Sequence, residues 1–299
     1  MIDKSNDKLK KQIKNWWSNH SQDYVDPGKK DHTGVKKNLS DGELKKFLND
    51  NDKNFYEDAY FAQKYGSELF SNFIPKNIKN KKILEIGCGL GSHSEIFAKK
   101  KAKLTSIDLA PTSIEITKKR LELKKLKGNI IEADAEKLPF PDNYFDIIWS
   151  WGVIHHSPNT KQCAREITRV LSKQGKLYIM LYNKNSLYNW INVILRYGVL
   201  KGQLLKMSIQ DLHNRYTDGK SDLGAPLSKY FTRDQIKNYL FPKLRIVSQH
   251  AYEKKHAFSF WVPSKFRRKF EKLIPDFIYT FLWSRLGFLL FTIAEKKEK

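Results

Sequence analysis

Between Lys81 and Asn183 short apolar runs alternate with stretches of helical periodicity. The runs predict strands near 82–87, 103–108, 129–132, 145–150 and 175–182. Apolar positions spaced three and four apart predict helices near 91–100, 112–125 and 161–172. Pro111-Thr112-Ser113 is a helix entry, and Lys173-Gln174-Gly175 reads as the turn into the fifth strand. Strands that are apolar throughout and separated by helices imply a mostly parallel sheet covered on both faces.

The flanks follow other rhythms. Residues 1–50 are charged and weakly periodic, with Trp16-Trp17 in a short helix and Asp26-Pro27-Gly28 as a breaker. Phe55, Tyr60, Phe61, Tyr65, Leu69 and Phe70 mark a helix leaning on the core, closed by Ile74-Pro75. After Tyr182 comes an apolar helical segment, Leu187–Leu200, then a polar section with Asp218-Gly219 and Gly224-Ala225-Pro226. An insertion over 184–229 lies beyond the carboxyl end of a strand, where it serves as a lid or substrate wall. Residues 231–241 read as a helix, and 243–250 with 256–262 as two final antiparallel strands. Lys265, Arg267, Arg268, Lys269 and Lys272 then precede the apolar stretch Phe277–Ala294. Ser284 and Arg285 interrupt that stretch, leaving no uncharged span of about 20 residues, so a packed or interfacial helix is expected. Three segments follow: an N-terminal helical cap (1–75), a core (76–262) carrying the insertion, and a C-terminal basic and apolar helical extension (263–299).

Composition adds one unusual feature to a chain of 299 residues. Its 55 Lys and Arg against 32 Asp and Glu give a formal charge of +23, which favours anionic partners without naming one. Lysine bias on helix surfaces accounts for it equally well. Cys88 and Cys163 are the two cysteines, too few for a disulfide framework or a metal cluster, which fits a reducing cytosol. Met1–Trp17 has no apolar core of a secretory signal. A cytoplasmic location is expected, with peripheral contact at the inner face of a membrane left open.

The chemistry begins at Ile83-Leu84-Glu85-Ile86-Gly87-Cys88-Gly89-Leu90-Gly91. A buried strand that breaks into three glycines brings backbone and a helix start close to a nucleotide-like ligand. Asp108 ends the next strand, where a carboxylate accepts from ribose hydroxyls, and Ile107 and Leu109 flank the sugar and base. Counted from Gly87, the sixth position is Ser92 rather than the glycine of a pyrophosphate turn. The pattern therefore points to a nucleoside cofactor without pyrophosphate.

Glu85–Gly91, Asp108, Asp134-Ala135-Glu136-Lys137-Leu138-Pro139-Phe140, Phe145-Asp146-Ile147-Ile148, Gly152-Val153-Ile154-His155-His156 and Glu166 with Arg169-Val170-Leu171 resemble the successive motifs of class I S-adenosylmethionine-dependent methyltransferases. Within these they most resemble the quinone-biosynthesis and small-molecule branch, over roughly residues 80–182. The resemblance implies a Rossmann-like, seven-stranded, mostly parallel sheet with helices on both faces, N-terminal helices, an insertion after strand 5 and a C-terminal helical extension. It also implies that Glu85 and the backbone of Gly87 and Gly89 meet the methionine part of S-adenosylmethionine, with Gly91 allowing close helix packing. Cys88 sits within the same turn as a small buried filler. Asp108 becomes the ribose clamp and Leu109 its apolar neighbour. Asp134 lies near the adenine amino group, Ala135 offers an N–H to an adenine ring nitrogen, and Glu136 belongs to that segment. Ser150 and Trp151 line the cofactor and the methyl-transfer opening.

On the acceptor side, His155 and His156 follow the fourth strand and are candidates for a base or for orienting the acceptor. No carboxylate or cysteine stands at ligand spacing from them, so no metal site is expected. Tyr182, Asn183 and Asn185 close the fifth strand and offer polar groups, while Trp16, Trp17 and Tyr24 are placed to close over the pocket. Each has a plain packing alternative. No Asn-Pro-Pro-Tyr-like signature or appended recognition module accompanies the charge, so nucleic acid is disfavoured as a partner. The basic 265–272 segment and the apolar 187–200 and 273–294 segments favour a small-molecule or lipid-like acceptor and an anionic membrane surface. RNA or protein methylation, or a noncatalytic cofactor-binding interaction protein, are the alternatives. A homo-oligomer is open.

Overall fold

The computed structural model describes residues 4–20, 39–53, 55, 74–218, 224–253, 275, 281–282 and 284–297. The expected strands form β1 (Lys82–Ile86), β2 (Lys103–Asp108), β3 (Asn129–Glu132), β4 (Phe145–Trp151) and β5 (Leu171–Asn183), joined by β7 (Leu244–Tyr252), β8 (Leu289–Lys296) and the two-residue β6 (Tyr230–Phe231). Their order is β3-β2-β1-β4-β5-β8-β7, with β6 alongside β5. β1 to β5 pair in parallel, and β8 runs antiparallel between β5 and β7. Side chains alternate across the sheet: Ile83, Trp149 and Phe291 join one core, and Leu84, Ile148 and Leu290 the other. Among the described residues, α-helices include α1 (Lys4–Asn19), α2 (Asp41–Lys53), α3 (Ser92–Lys99), α4 (Pro111–Leu123), α5 (Thr160–Val170) and α6 (Ile209–Tyr216).

The parallel sheet reverses direction at its centre. After β1 the chain builds outward through β2 and β3, then returns to place β4 on the other side of β1. The loops after β1 and β4 consequently diverge, which opens a crevice at the carboxyl ends of the strands. The expected turn at Lys173–Gly175 is an irregularity within β5: Phe145 pairs with Leu171, but Ile147 pairs with Lys176.

Helix α2 packs on the glycine turn. Leu44 and Leu48 meet Leu90 and Ile116, and beneath them the fully buried Arg120 pairs with Asp52 and Glu95 and donates to the Leu90 carbonyl at 3.0 Å. The insertion has its own small core, in which Val193 and Leu212 are buried. Its helix Tyr188–Leu200 is wound in π fashion. Helix α6 starts at a capping box formed by Ser208 and Asp211.

The C-terminal part differs from expectation. Residues 256–262, expected as the last strand, and 265–272 lie outside the described residues. The strand that pairs with β7 is instead Leu289–Lys296, inside the apolar stretch expected to be a helix. Described helical residues of that extension are 281–282 and 284–286. β8 is buried on both faces, with Leu289 and Phe291 in one core and Leu290 and Ala294 in the other. Its run Leu289–Phe291, followed by Ile293 and Ala294, has no period that separates it from a buried helix. Among the described residues no helix is long and apolar enough to cross a membrane.

Candidate cofactor and acceptor site

The turn after β1 is held by its own backbone. The N–H groups of Gly87 and Cys88 both donate to the Ile107 carbonyl, at 2.8 and 3.1 Å, and Gly91 N–H donates to Cys88 O at 2.8 Å. Gly87 has φ +79°, and a Cβ there would stand 2.1 Å from a methyl of Val153. Gly89 has φ +52°, yet nothing lies within 4 Å of where its Cβ would be. It borders a cleft, partly open to solvent, that also takes in Ile107, Asp108, Leu109, Asp134 and Ala135. At Gly91 a Cβ would stand 3.0 Å from Thr117 and 3.1 Å from Arg120. Cys88 is buried, and burial raises its thiol pKa well above the ordinary range.

Asp108 is fixed by the turn it faces. Its Oδ2 accepts from Gly89 N–H at 3.0 Å and its Oδ1 from Ala110 N–H at 2.9 Å. Burial raises its pKa despite those bonds. Each oxygen retains acceptor capacity for a further donor. Asp134 Oδ1 accepts from Glu136 N–H at 2.8 Å. Lys10 of α1 reaches Asp134 Oδ2 at 2.7 Å and Glu136 Oε2 at 2.6 Å. Glu136 also accepts from Ser157 Oγ and Asn159 N–H. Burial works to raise its pKa, but these partners hold it below the usual value. An open glycine cradle, a carboxylate at the end of β2, apolar Ile107 and Leu109, and an acid followed by a backbone N–H at Ala135 form a donor and acceptor set that fits S-adenosylmethionine.

Four expected cofactor residues, Glu85, Cys88, Gly91 and Ser150, are absent from the cleft wall. Glu85 lies behind the turn, where its Oε2 accepts from the hydroxyls of Ser94 and Ser106, the latter at 2.8 Å. Burial pushes its carboxyl up to about 7. Ser150 is buried in β4, and its hydroxyl has no hydrogen-bond partner among the described residues. Trp151 does line the cleft, as well as a smaller adjoining pocket shared by Gly87, Gly89, Asn51, Phe55 and His93. Burial lowers the His93 pKa to about 3.

The histidines differ in their surroundings. His156 borders the cleft, with Nδ1 2.6 Å from the Leu227 carbonyl. A carbonyl can only accept, so Nδ1 is the donor there, and Nε2 is buried without a hydrogen-bond partner among the described residues. Nε2 is 3.7 Å from Asp218 Oδ2. Asp218 in turn accepts from Tyr182 Oη at 2.5 Å and from Ser228 Oγ at 2.8 Å. His155 is fully buried behind it, packed at a tilt on Tyr182 with ring centroids 4.0 Å apart, and neither ring nitrogen has a partner among the described residues. Burial depresses its pKa well below the ordinary range.

The remaining expected residues separate. Trp17 borders the cleft and meets the His156 ring at 5.0 Å. Trp16 faces a peripheral groove with Gly224 and Pro226. Tyr24 lies outside the described residues. Asn183 is a brace: its Nδ2 donates to Gly287 O at 2.8 Å and its Oδ1 accepts from Asn185 N–H at 3.0 Å. Asn185 is exposed and does not border the cleft, because the chain turns away there to start the insertion. Sequence reasoning missed Lys10, one lysine of a lysine-rich segment, and Asp218, which read as half of a turn pair.

This crevice and its strand order match a Rossmann-like methyltransferase fold. Residues 84–179 match the family described as a methyltransferase domain. A ubiquinone biosynthesis O-methyltransferase of Coxiella burnetii is 31% identical over 108 residues, 36% of this chain and 46% of that protein. A malonyl-[acyl-carrier protein] O-methyltransferase of Legionella pneumophila is 33% identical over 125 residues, 41% and 44% of the two chains. The chain thus spans somewhat under half the length of these curated relatives. A putative methyltransferase of Bacillus halodurans shares the fold at a TM-score of 0.52, with 18% identity over 78% of this chain and 98% of that one.

Proposed function

We propose that the chain transfers a methyl group from S-adenosylmethionine to a small-molecule or lipid-like acceptor, with His156 as the base. The observation that carries this reading is the His156 ring at the cleft border, anchored through Nδ1 to Leu227 O with Nε2 3.7 Å from Asp218 Oδ2. When bound, S-adenosylmethionine supplies an electrophilic methyl group on a sulfonium. In this reading Asp108 holds the ribose, Asp134 and Ala135 the adenine edge, and the backbone at Gly87 and Gly89 the methionine portion. Glu85 braces the turn from behind instead of touching the cofactor. His156 Nε2 takes the proton from an oxygen or nitrogen acceptor, and the Asp218 carboxylate beside it stabilises the imidazolium so formed. Tyr182 orients Asp218 through its hydroxyl.

A small acceptor is supported by the cover over the cleft. Helix α1 places Lys10, Ile13, Lys14 and Trp17 across it, a cover that favours a small acceptor over a folded RNA or protein surface. The names of the aligned relatives, an enzyme of ubiquinone biosynthesis and one acting on a carrier-linked malonyl group, agree with that class. Incubating the protein and methyl-labelled cofactor with small-molecule, lipid and RNA fractions tests the reading. Label is expected in the first or second fraction, and exclusive labelling of RNA would overturn it. Asp108→Asn is expected to weaken cofactor binding by at least about tenfold in calorimetry. His156→Gln is expected to leave that binding intact while slowing transfer roughly 10²- to 10⁴-fold.

A further inference from the structure

We infer that the outer face of the insertion docks on an anionic lipid surface. Trp190, Leu195, Val199 and Leu200 of the π-wound helix, then Leu205 and Ile209, are exposed in succession, Leu200 at 74% and Leu205 at 89%. Winding with i to i+5 hydrogen bonds places residues 190, 195 and 199–200 along one stripe. The inner side of the same helix is already satisfied: Val193 is buried, and Gly198 packs closely on Leu204 and Leu212. The outer stripe therefore has no packing role in the insertion. Isolated apolar side chains on a surface are ordinary, but six large ones within twenty residues form a patch that marks an interaction site.

Charge selects the occupant. Residues 184–216 contain the cations Lys184, Arg196, Lys201, Lys206 and Arg215 against the single acid Asp211. Lys201 stands 4.7 Å over the ring of Tyr197, and Arg196 is beside the same ring, so the cations are held at the rim of the apolar stripe. Apolar and aromatic residues bordered by lysine and arginine are the arrangement that enters the headgroup region of an anionic bilayer. A second copy of this chain fits less well. A two-fold contact would set the same cationic rim against itself, on a chain whose formal charge is +23. The docking face and Asp218 belong to one insertion, so the surface that meets the lipid also walls the acceptor side. The inference is independent of which acceptor is methylated.

Co-sedimentation of the full chain with vesicles of phosphatidylcholine, with and without phosphatidylglycerol, tests it. Binding is expected to need phosphatidylglycerol and to fall as salt is raised. Lys201→Gln with Lys206→Gln is expected to weaken it roughly thirtyfold, and Leu200→Glu with Leu205→Glu at least tenfold. Cofactor affinity measured by calorimetry should be unchanged in both variants, which shows that they are folded. Failure of the wild-type chain to bind phosphatidylglycerol vesicles would overturn the inference, as would undiminished binding by the Leu200 and Leu205 variant. A wild-type dimer in light scattering that this variant converts to a monomer would assign the face to a second copy instead. None of these outcomes bears on methyl transfer, whose failure would be read from the labelling experiment.

Discussion

At the scale of single residues, Gly87 and Gly89 show how two glycines of one turn serve different ends. Both have positive φ, but a Cβ at position 87 runs into Val153, while one at 89 meets open space over the cleft. Gly87→Ala is expected to lower stability by about 3 kcal/mol in urea unfolding, from overpacking added to backbone strain. Gly89→Ala carries only the backbone cost of about 1–2 kcal/mol and is expected to lose cofactor affinity in calorimetry while remaining folded. Glu85 yields a prediction in pH. Its carboxyl titrates at about 7 when folded against 4.5 in its ordinary state, so between those values the folded chain keeps a proton that the unfolded chain has released. Stability from this group is complete below pH 4.5 and falls as pH rises to 7. Glu85→Gln removes the dependence while keeping an acceptor for Ser94 and Ser106. Thermal unfolding should shift in the variant's favour by on the order of 3 kcal/mol between pH 4.5 and 8. The turn, Asp108 and Asp134 were legible from residue order, because a glycine break after an apolar strand and an acid ending the next strand are local features. The orientation of Glu85 was not, since it depends on the hydroxyls of Ser94 and Ser106 arriving from other elements.

At the scale of elements, two N-terminal helices enclose the cofactor cleft by ionic contacts. Helix α1 is tied across the cleft by Lys10 on Asp134 and Glu136. The Lys10 pKa is lowered by burial but raised overall by its two acidic partners, so the ammonium is charged throughout the neutral range. Helix α2 is anchored by Asp52 on Arg120, whose guanidinium also holds Glu95. Arg120→Met leaves two carboxylates without their buried cation and is expected to cost 3–5 kcal/mol, on the order found for broken buried pairs. Denaturant unfolding measures that loss, and limited proteolysis should show α2 released, because Asp52 is its ionic anchor. Lys10→Ala breaks half-exposed pairs, and stopped-flow release of the cofactor is expected to speed by roughly two- to fivefold. Neither tie was readable beforehand. Lys10 is separated from Asp134 by more than a hundred positions, and one lysine among many gives no local signal of its partner.

At the scale of the whole molecule, the sheet depends on its last strand. β8 lies between β5 and β7 and hydrogen-bonds to both, with Leu290 and Ala294 fully buried. A chain ending at residue 286 leaves β7 without its partner and opens both cores. It is expected to fail to fold, seen as loss of cooperative thermal unfolding and of near-ultraviolet circular dichroism, whereas ending the chain at residue 297 should change neither.

The sequence by itself determined the parallel core, the glycine turn with Asp108 and Asp134, and the cofactor class, because each follows from short-range order: apolar runs of strand length, glycine where the backbone turns left-handed, and acids at strand ends. Tertiary structure alone decided that the apolar stretch near the C terminus is a central strand, since a segment buried on both faces has no periodicity to declare itself. It also decided the surroundings of His156. Tyr182, His156 and Asp218 come from β5, the loop after β4 and the insertion, and only folding of that insertion brings the carboxylate to the imidazole.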